Sequence, residues 1–233
     1  MSPIRFAAFL LALCLSGCII HISDSGDWDG SWGSPSRLQG SGSRSSQART
    51  PGEFSRVRAA TSGDVHVVVV GGGGAARVEV SCDENLIEHV RTRVVDGELV
   101  IDTDGERMKF REGLRGEIAC PALAGATLSG SGSLRVEGLE GERFDASLSG
   151  SGELSARGKV ARCSLSLTGS GELSCRDLET QEAQVSLAGS GRVHVRASAQ
   201  LSASISGSGD VRYSGAAPQI TRSVAGSGTI APE

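Results

Sequence analysis

From Leu128 onward, apolar and polar residues alternate in short bursts, and every burst halts at a Gly-Ser-Gly triplet. Leu148 precedes Gly150-Ser151-Gly152, and Leu154 and Ala156 follow it; Leu165, Leu167 and Leu173, then Val185, Leu187, Val193 and Val195, then Leu201, Ala203, Ile205, Val211 and Tyr213 keep the same phase. A period of two is the signature of a strand with one buried face. The triplets begin at Gly130, Gly150, Gly169, Gly189, Gly207 and Gly226, spaced 20, 19, 20, 18 and 19 residues apart and foreshadowed by Ser62-Gly63-Asp64. Such a fixed period marks a solenoid. Glycine at a fixed phase supplies the backbone freedom of a sharp corner. Each rung of about 19 residues, less its corners, holds two or three short strands and stacks on its neighbours at roughly 4.8 Å. The pattern predicts an all-β chain folded as a parallel β-helix, right-handed by the usual chirality of parallel crossovers. Gly and Ser in this quantity otherwise signal disorder, but a linker has no reason to place Leu, Val or Ile two residues before and after every triplet.

Residues 53–127 are less regular. Strands are expected at Phe54–Arg58, Val65–Val70, Arg77–Cys82, Val90–Val95 and Glu98–Asp102, with a helical turn near Glu84–His89. Asp96-Gly97 between two alternating runs is a two-residue hairpin signal. This half reads as an irregular start to the same solenoid, covering the open end of its core, with the regular repeats filling 128–233.

The first 18 residues carry Arg5, an apolar run from Phe6 to Leu15 and then Leu15-Ser16-Gly17-Cys18. The run is too short to span a bilayer and reads as an export signal. Its ending resembles the lipobox of bacterial lipoproteins, which implies acylation of Cys18 and cleavage ahead of it. Several acyl chains suffice for stable anchoring, so membrane contact is expected through this anchor. Ile19 rather than an acidic residue after the cysteine points, by the same resemblance, to the outer membrane. Residues 19–52 are rich in Ser and Gly without apolar periodicity and are expected to be a disordered tether. As a coil of 34 residues it would span roughly 30–35 Å on average and about 110 Å at full stretch. Trp28 and Trp32 read as loose aromatics within it.

Charge excludes one class of partner. The chain carries 23 Lys and Arg against 27 Asp and Glu, whereas nucleic-acid binding calls for a strongly basic face. Four histidines, His21, His66, His89 and His194, are scattered, and His66 and His194 lie between inward-facing valines and so are expected to face solvent. No Gly-x-Ser-x-Gly, His-Glu-x-x-His or Ser-x-x-Lys spacing occurs. Gly71–Gly74 lacks the Lys of a phosphate loop, and no nine-residue aspartate period suggests a calcium roll. No metal, cofactor or catalytic residue is expected.

The order Phe54 and Val57, Ser62-Gly63-Asp64-Val65, Asn85-Leu86-Ile87, Gly97-Glu98-Leu99-Val100-Ile101 and Pro121-Ala122-Leu123, followed by the Ser-Gly-Ser-Gly repeats, resembles the bacterial putative auto-transporter adhesin head GIN domain family over nearly all of 53–230. The resemblance implies an exported β-helix of unassigned biochemistry, with adhesion as its suggested role. The chain ends at Glu233 without alternating strands for a translocator barrel, so self-export is not expected.

Three features remain as candidate chemistry. Stacked in register on the corner glycines, the third outward position reads Glu137, Arg157, Arg176, Arg196 and Ser214, a ladder of three arginines suited to carboxylate or phosphate. It would hold an anionic glycan or lipid headgroup unless Glu153, Glu172 and Asp210, in the first outward column, neutralise it. Cys82 and Cys120 each end a strand in an oxidising compartment, making them the first candidates for a disulfide worth roughly 4 kcal/mol; Cys163 and Cys175 face the core and form either a bridge or two small apolar groups. The bare end of a solenoid invites pairing with a second copy. The reading is a lipid-anchored envelope protein whose non-catalytic β-helix is a binding, adhesion or structural surface, its partner an anionic glycan, a lipid headgroup or an envelope protein. The alternative is a polysaccharide lyase or hydrolase built on the same scaffold.

Overall fold

A computed structural model describes residues 38–103, 108–217 and 219–233. The signal segment, Cys18, Trp28 and Trp32 lie outside these residues. In chain order the strands are β1 (Leu38–Gln39), β2 (Arg44–Arg49), β3 (Arg56–Ala60), β4 (Asp64–Val69), β5 (Arg77–Asp83), β6 (Val90–Val95), β7 (Glu98–Thr103), β8 (Met108–Lys109), β9 (Arg115–Cys120) and β10 (Gly125–Gly130). The regular part follows as β11 (Ser133–Gly150), β12 (Glu153–Gly169), β13 (Glu172–Gly189), β14 (Arg192–Gly207), β15 (Asp210–Ser214), β16 (Gln219–Gly226) and β17 (Thr229–Pro232). No α-helix occurs among the described residues; a single 3-10 turn spans Ile87–His89.

The expected solenoid is what forms. Each of β11 to β14 runs through one rung as two arms. The first arms stack as β9-β4-β11-β12-β13-β14-β15-β17 and the second arms as β7-β3-β10-β11-β12-β13-β14-β16, all parallel. Leucines, valines and isoleucines from both arms meet in one continuous core with Phe144 fully buried inside it.

The two corners of a rung do different work. At the Gly-Ser-Gly corner the first glycine holds φ near +125°, a conformation L side chains rarely adopt. A Cβ on Gly150 would also lie 2.3 Å from the Gly130 carbonyl oxygen. That carbonyl accepts from both Ser151 and Gly152 amides, and the pattern repeats rung by rung. At the second corner the register shifts, between Val136 and Leu139, Ser155 and Gly158, and Cys175 and Thr180. Rungs of 18 to 20 residues are therefore accommodated at the second corner, and the Gly-Ser-Gly corners stay aligned.

Antiparallel strands finish the opposite end. The β6–β7 hairpin turns at Asp96 and Gly97, both with positive φ as the sequence predicts, and closes the second-arm sheet. On the first-arm sheet, β5 pairs antiparallel with β9, and β2 pairs antiparallel with β5.

Two expectations are corrected. Residues 38–49 are not tether: β1 pairs with β8 and β2 with β5. Apart from Leu38, which packs against the core, the docking relies on an open sheet edge and polar clasps, so no hydrophobic pattern announced it. Cys82 and Cys120 are not bridged. The register pairs Arg77 with Ala119 and Ser81 with Arg115, which sets the two cysteines at opposite ends of the ladder, roughly 20 Å apart, beyond the reach of a disulfide. All four cysteines among the described residues, Cys163 and Cys175 included, are buried free thiols. Burial pushes Cys120 and Cys163 up to about 11 and raises Cys175 well above the ordinary thiol range, with Cys163 adding to the last.

Candidate binding surface

The first-arm sheet presents an outward face of almost unbroken polarity. Its first column, beside the Gly-Ser-Gly corner, reads Asp64, Ser133, Glu153, Glu172, Arg192 and Asp210 in register. The corner serines Ser131, Ser151, Ser170, Ser190 and Ser208 are exposed alongside it. Serine and acid columns together line a groove of about 460 Å³ running parallel to the solenoid axis. Six strands at the inter-strand spacing give it a length of roughly 24 Å. Corner amides and carbonyls are committed from rung to rung, so a ligand here meets side chains. Ser133 donates to Asp64 at 2.7 Å, and Arg192 lies 3.7 Å from Glu172.

The arginine ladder forms the opposite margin of this face, and each member already has a carboxylate. Arg157 sits 3.8 Å from both Glu137 and Asp177, Arg176 lies 2.8 Å from Glu233, and Arg196 lies 3.5 Å from Glu179. The neutralising acids are thus not Glu153, Glu172 and Asp210. Long arginine side chains reach the acids of the second corner and neighbouring strands sooner than those two columns away. Exposed pairs of this kind contribute little stability, but they cancel the field an anionic ligand would have felt.

His194 departs from expectation. It lies on the outward face, yet its side chain is only 4 % exposed, roofed by Glu172 and Arg176 of β13 and by Glu233 beyond β17. Nδ1 is 2.7 Å from Glu233 Oε1, Nε2 is 3.7 Å from Glu172, and the Arg176 guanidinium approaches both ring nitrogens at 2.8 and 3.0 Å. Ser174 is its cross-strand neighbour, so serine, imidazole and carboxylate are adjacent; the ring, however, bonds to Glu233 and Arg176 and is sealed from any substrate. Glu233 arrives beyond β17, too far along the chain for spacing to reveal. His66 keeps its expected outward position, between Glu117 at 3.1 Å and Glu137 at 3.7 Å.

Two acids outside the groove are held as carboxylates. Burial raises Glu233, but its bonds to His194 and Arg176 outweigh it and hold the carboxyl below its ordinary range. Burial likewise pushes Asp83 up, and the amides of Gly42, Glu112 and Arg111 more than reverse this. Both are held charged, opposite to what a general acid requires. Among the described residues no cluster of three or more His, Cys, Asp or Glu could hold a metal ion.

The family model "Putative auto-transporter adhesin, head GIN domain" matches residues 53–217. The chain belongs to this family. Solved structures share the fold. A putative adhesin from Bacteroides fragilis is 20% identical with a TM-score of 0.69, covering 84% of this chain and 100% of that one. A putative adhesin from Parabacteroides merdae is 19% identical with a TM-score of 0.58, covering 84% and 99%. A putative lipid binding protein from Parabacteroides distasonis is 21% identical with a TM-score of 0.57, covering 85% and 100%. No curated protein matches. The family is described as a putative adhesin head, not as an enzyme.

Proposed function

We propose that this GIN-domain protein is an adhesin-like binding module held on the outer membrane through an acylated Cys18, and that the corner groove is where it meets its ligand. The observation that carries this reading is the groove: a rigid, axis-parallel trough of exposed serine hydroxyls and carboxylates, repeated at the rung spacing. Its acids, with one arginine among them, favour an uncharged or amine-bearing glycan over the anionic ligand suggested by the arginine column. Hydroxyl and carboxylate groups suit the polar edges of sugars, and a 4.8 Å repeat suits an extended polymer.

A glycan array with the purified protein tests it, using two variants. Ser151→Ala, Ser170→Ala and Glu153→Gln together should weaken glycan binding at least ~10-fold, the effect of losing two or three modest hydrogen bonds; Arg157→Ser, Arg176→Ser and Arg196→Ser should leave it within about twofold. Salt-sensitive binding of an anionic ligand lost only in the arginine variant would overturn the groove assignment. Anchoring is read separately, as acyl mass on Cys18 and its loss in Cys18→Ser.

A further inference from the structure

Strand β2 is held unlike any rung. Strands β11 to β14 are paired along both edges and bury a row of apolar side chains. Strand β2 pairs along one edge only, with β5, and none of its six side chains is buried. Its attachments are polar. Asn85 accepts from the Ser41 amide at 2.8 Å and donates to the Gln39 carbonyl at 2.9 Å. Asp83 accepts from the Gly42 amide at 2.7 Å, and the Glu84 amide donates to Ser43. Gly40 passes so close that a Cβ there would fall 2.3 Å from the Asp83 carboxyl carbon. At the far end the Arg49 guanidinium donates to the Ile87 and Val90 carbonyls and to Thr92. Segments with few apolar contacts open at the lowest free energy, and this one has the composition of unstructured chain.

We propose that residues 38–52 form a releasable strap, docked on β5 at rest and let go as a unit when the chain ahead of Leu38 is pulled. Its physiological load rests on the reading that Cys18 is anchored, since an anchor there draws on the strap before any rung. The chain enters at Leu38 and joins the solenoid beyond Gly52. Tension therefore meets the short β1–β8 pairing and the Gly40 amide's bond to the Lys109 carbonyl first, then the Asn85 and Asp83 clasps, then opens the ladder pair by pair from Arg44 toward Arg49. Release adds 15 residues to the 19 between Cys18 and Leu38, lengthening the longest reach of the link from about 60 Å to about 110 Å. The exposed edge of β5 becomes a strand acceptor, while the rungs keep every contact.

Hydrogen exchange on the full-length protein tests the strap without requiring the anchor. Amides of β2 should be protected at least ~100-fold less than those of β12 to β14. Arg49→Ala with Asn85→Ala should lower β2 protection by about 10- to 100-fold more and leave β12 to β14 unchanged. Ser46 and Ser81 are opposed in register, at a spacing that suits a disulfide; Ser46→Cys with Ser81→Cys, oxidised, should bring β2 protection up to that of β5, reversibly with reductant. Equal protection of β2 and the rungs, or a double variant that loosens the rungs as much as β2, would overturn the strap. Absence of acyl mass on Cys18 would remove the load and leave these results untouched.

Discussion

Asp83 shows how one residue can organise an end of a fold. Its buried carboxylate accepts amides from Gly42, Arg111 and Glu112, so it ties strap and loop to β5. Because its folded pKa lies below the unfolded value near 4, the stabilisation is fully present above that value and is lost as pH falls through the folded pKa. Urea midpoints measured from pH 6 to pH 2 should therefore fall more steeply for the native protein than for Asp83→Asn, whose stability should start about 2 kcal/mol lower at pH 6. Parallel curves would mean that Asp83 carries no such linkage. Nothing around Asp83 in the sequence marks it: Cys82-Asp83-Glu84-Asn85 reads as a polar turn, and its three donors come from segments 28 to 41 residues away. The corner glycines were legible for the opposite reason, since their constraint is local and repeats at every rung.

At the scale of elements, the rung is the unit, and the second corner gives it tolerance. Deleting residues 151–169, one whole repeat, joins Gly150 to Ser170, restores the triplet and leaves each remaining rung a matching neighbour. The variant should give the native circular-dichroism shape and one cooperative melt, as expected when stability is a sum over stacked repeats; deleting residues 151–160 should abolish both, because it turns inward positions outward. The alternation Leu165, Leu167, Leu173 made the rungs and the Asp96-Gly97 hairpin readable from sequence. Strand β2 was not readable, because an edge strand with no buried side chain shows no alternation. The arginine column was placed correctly on the outward face, but its partners were not foreseen: Asp177 and Glu179 sit on the second corner, where the register slips.

The whole molecule has unlike ends. Antiparallel β5, β2 and β6 close the end nearest Leu38, whereas β16 and β17 leave parallel strands bare. Val224 there is 44 % exposed, yet the same strand turns Arg222 into an inward position opposite Ala203, where it lies 5.1 Å over the Tyr213 ring and bonds its hydroxyl. An inward charge and Pro232 in β17 are both devices that deter strand addition. Arg222→Val with Pro232→Val should make the mass in light scattering grow more steeply with concentration than that of the native protein; curves that coincide over a 100-fold range of concentration would show that the end is guarded otherwise. The order of pairing also has a temporal side. Once residues 38–130 have closed on themselves, β11 needs only β4 and β10 beneath it, and each later rung needs only the one before. No strand pairing in the regular half waits for sequence still to come, only side-chain bonds such as those of Arg176 and His194 to Glu233, so a chain delivered from its first residue onward can crystallise, layer upon layer, on a seed it has already laid down.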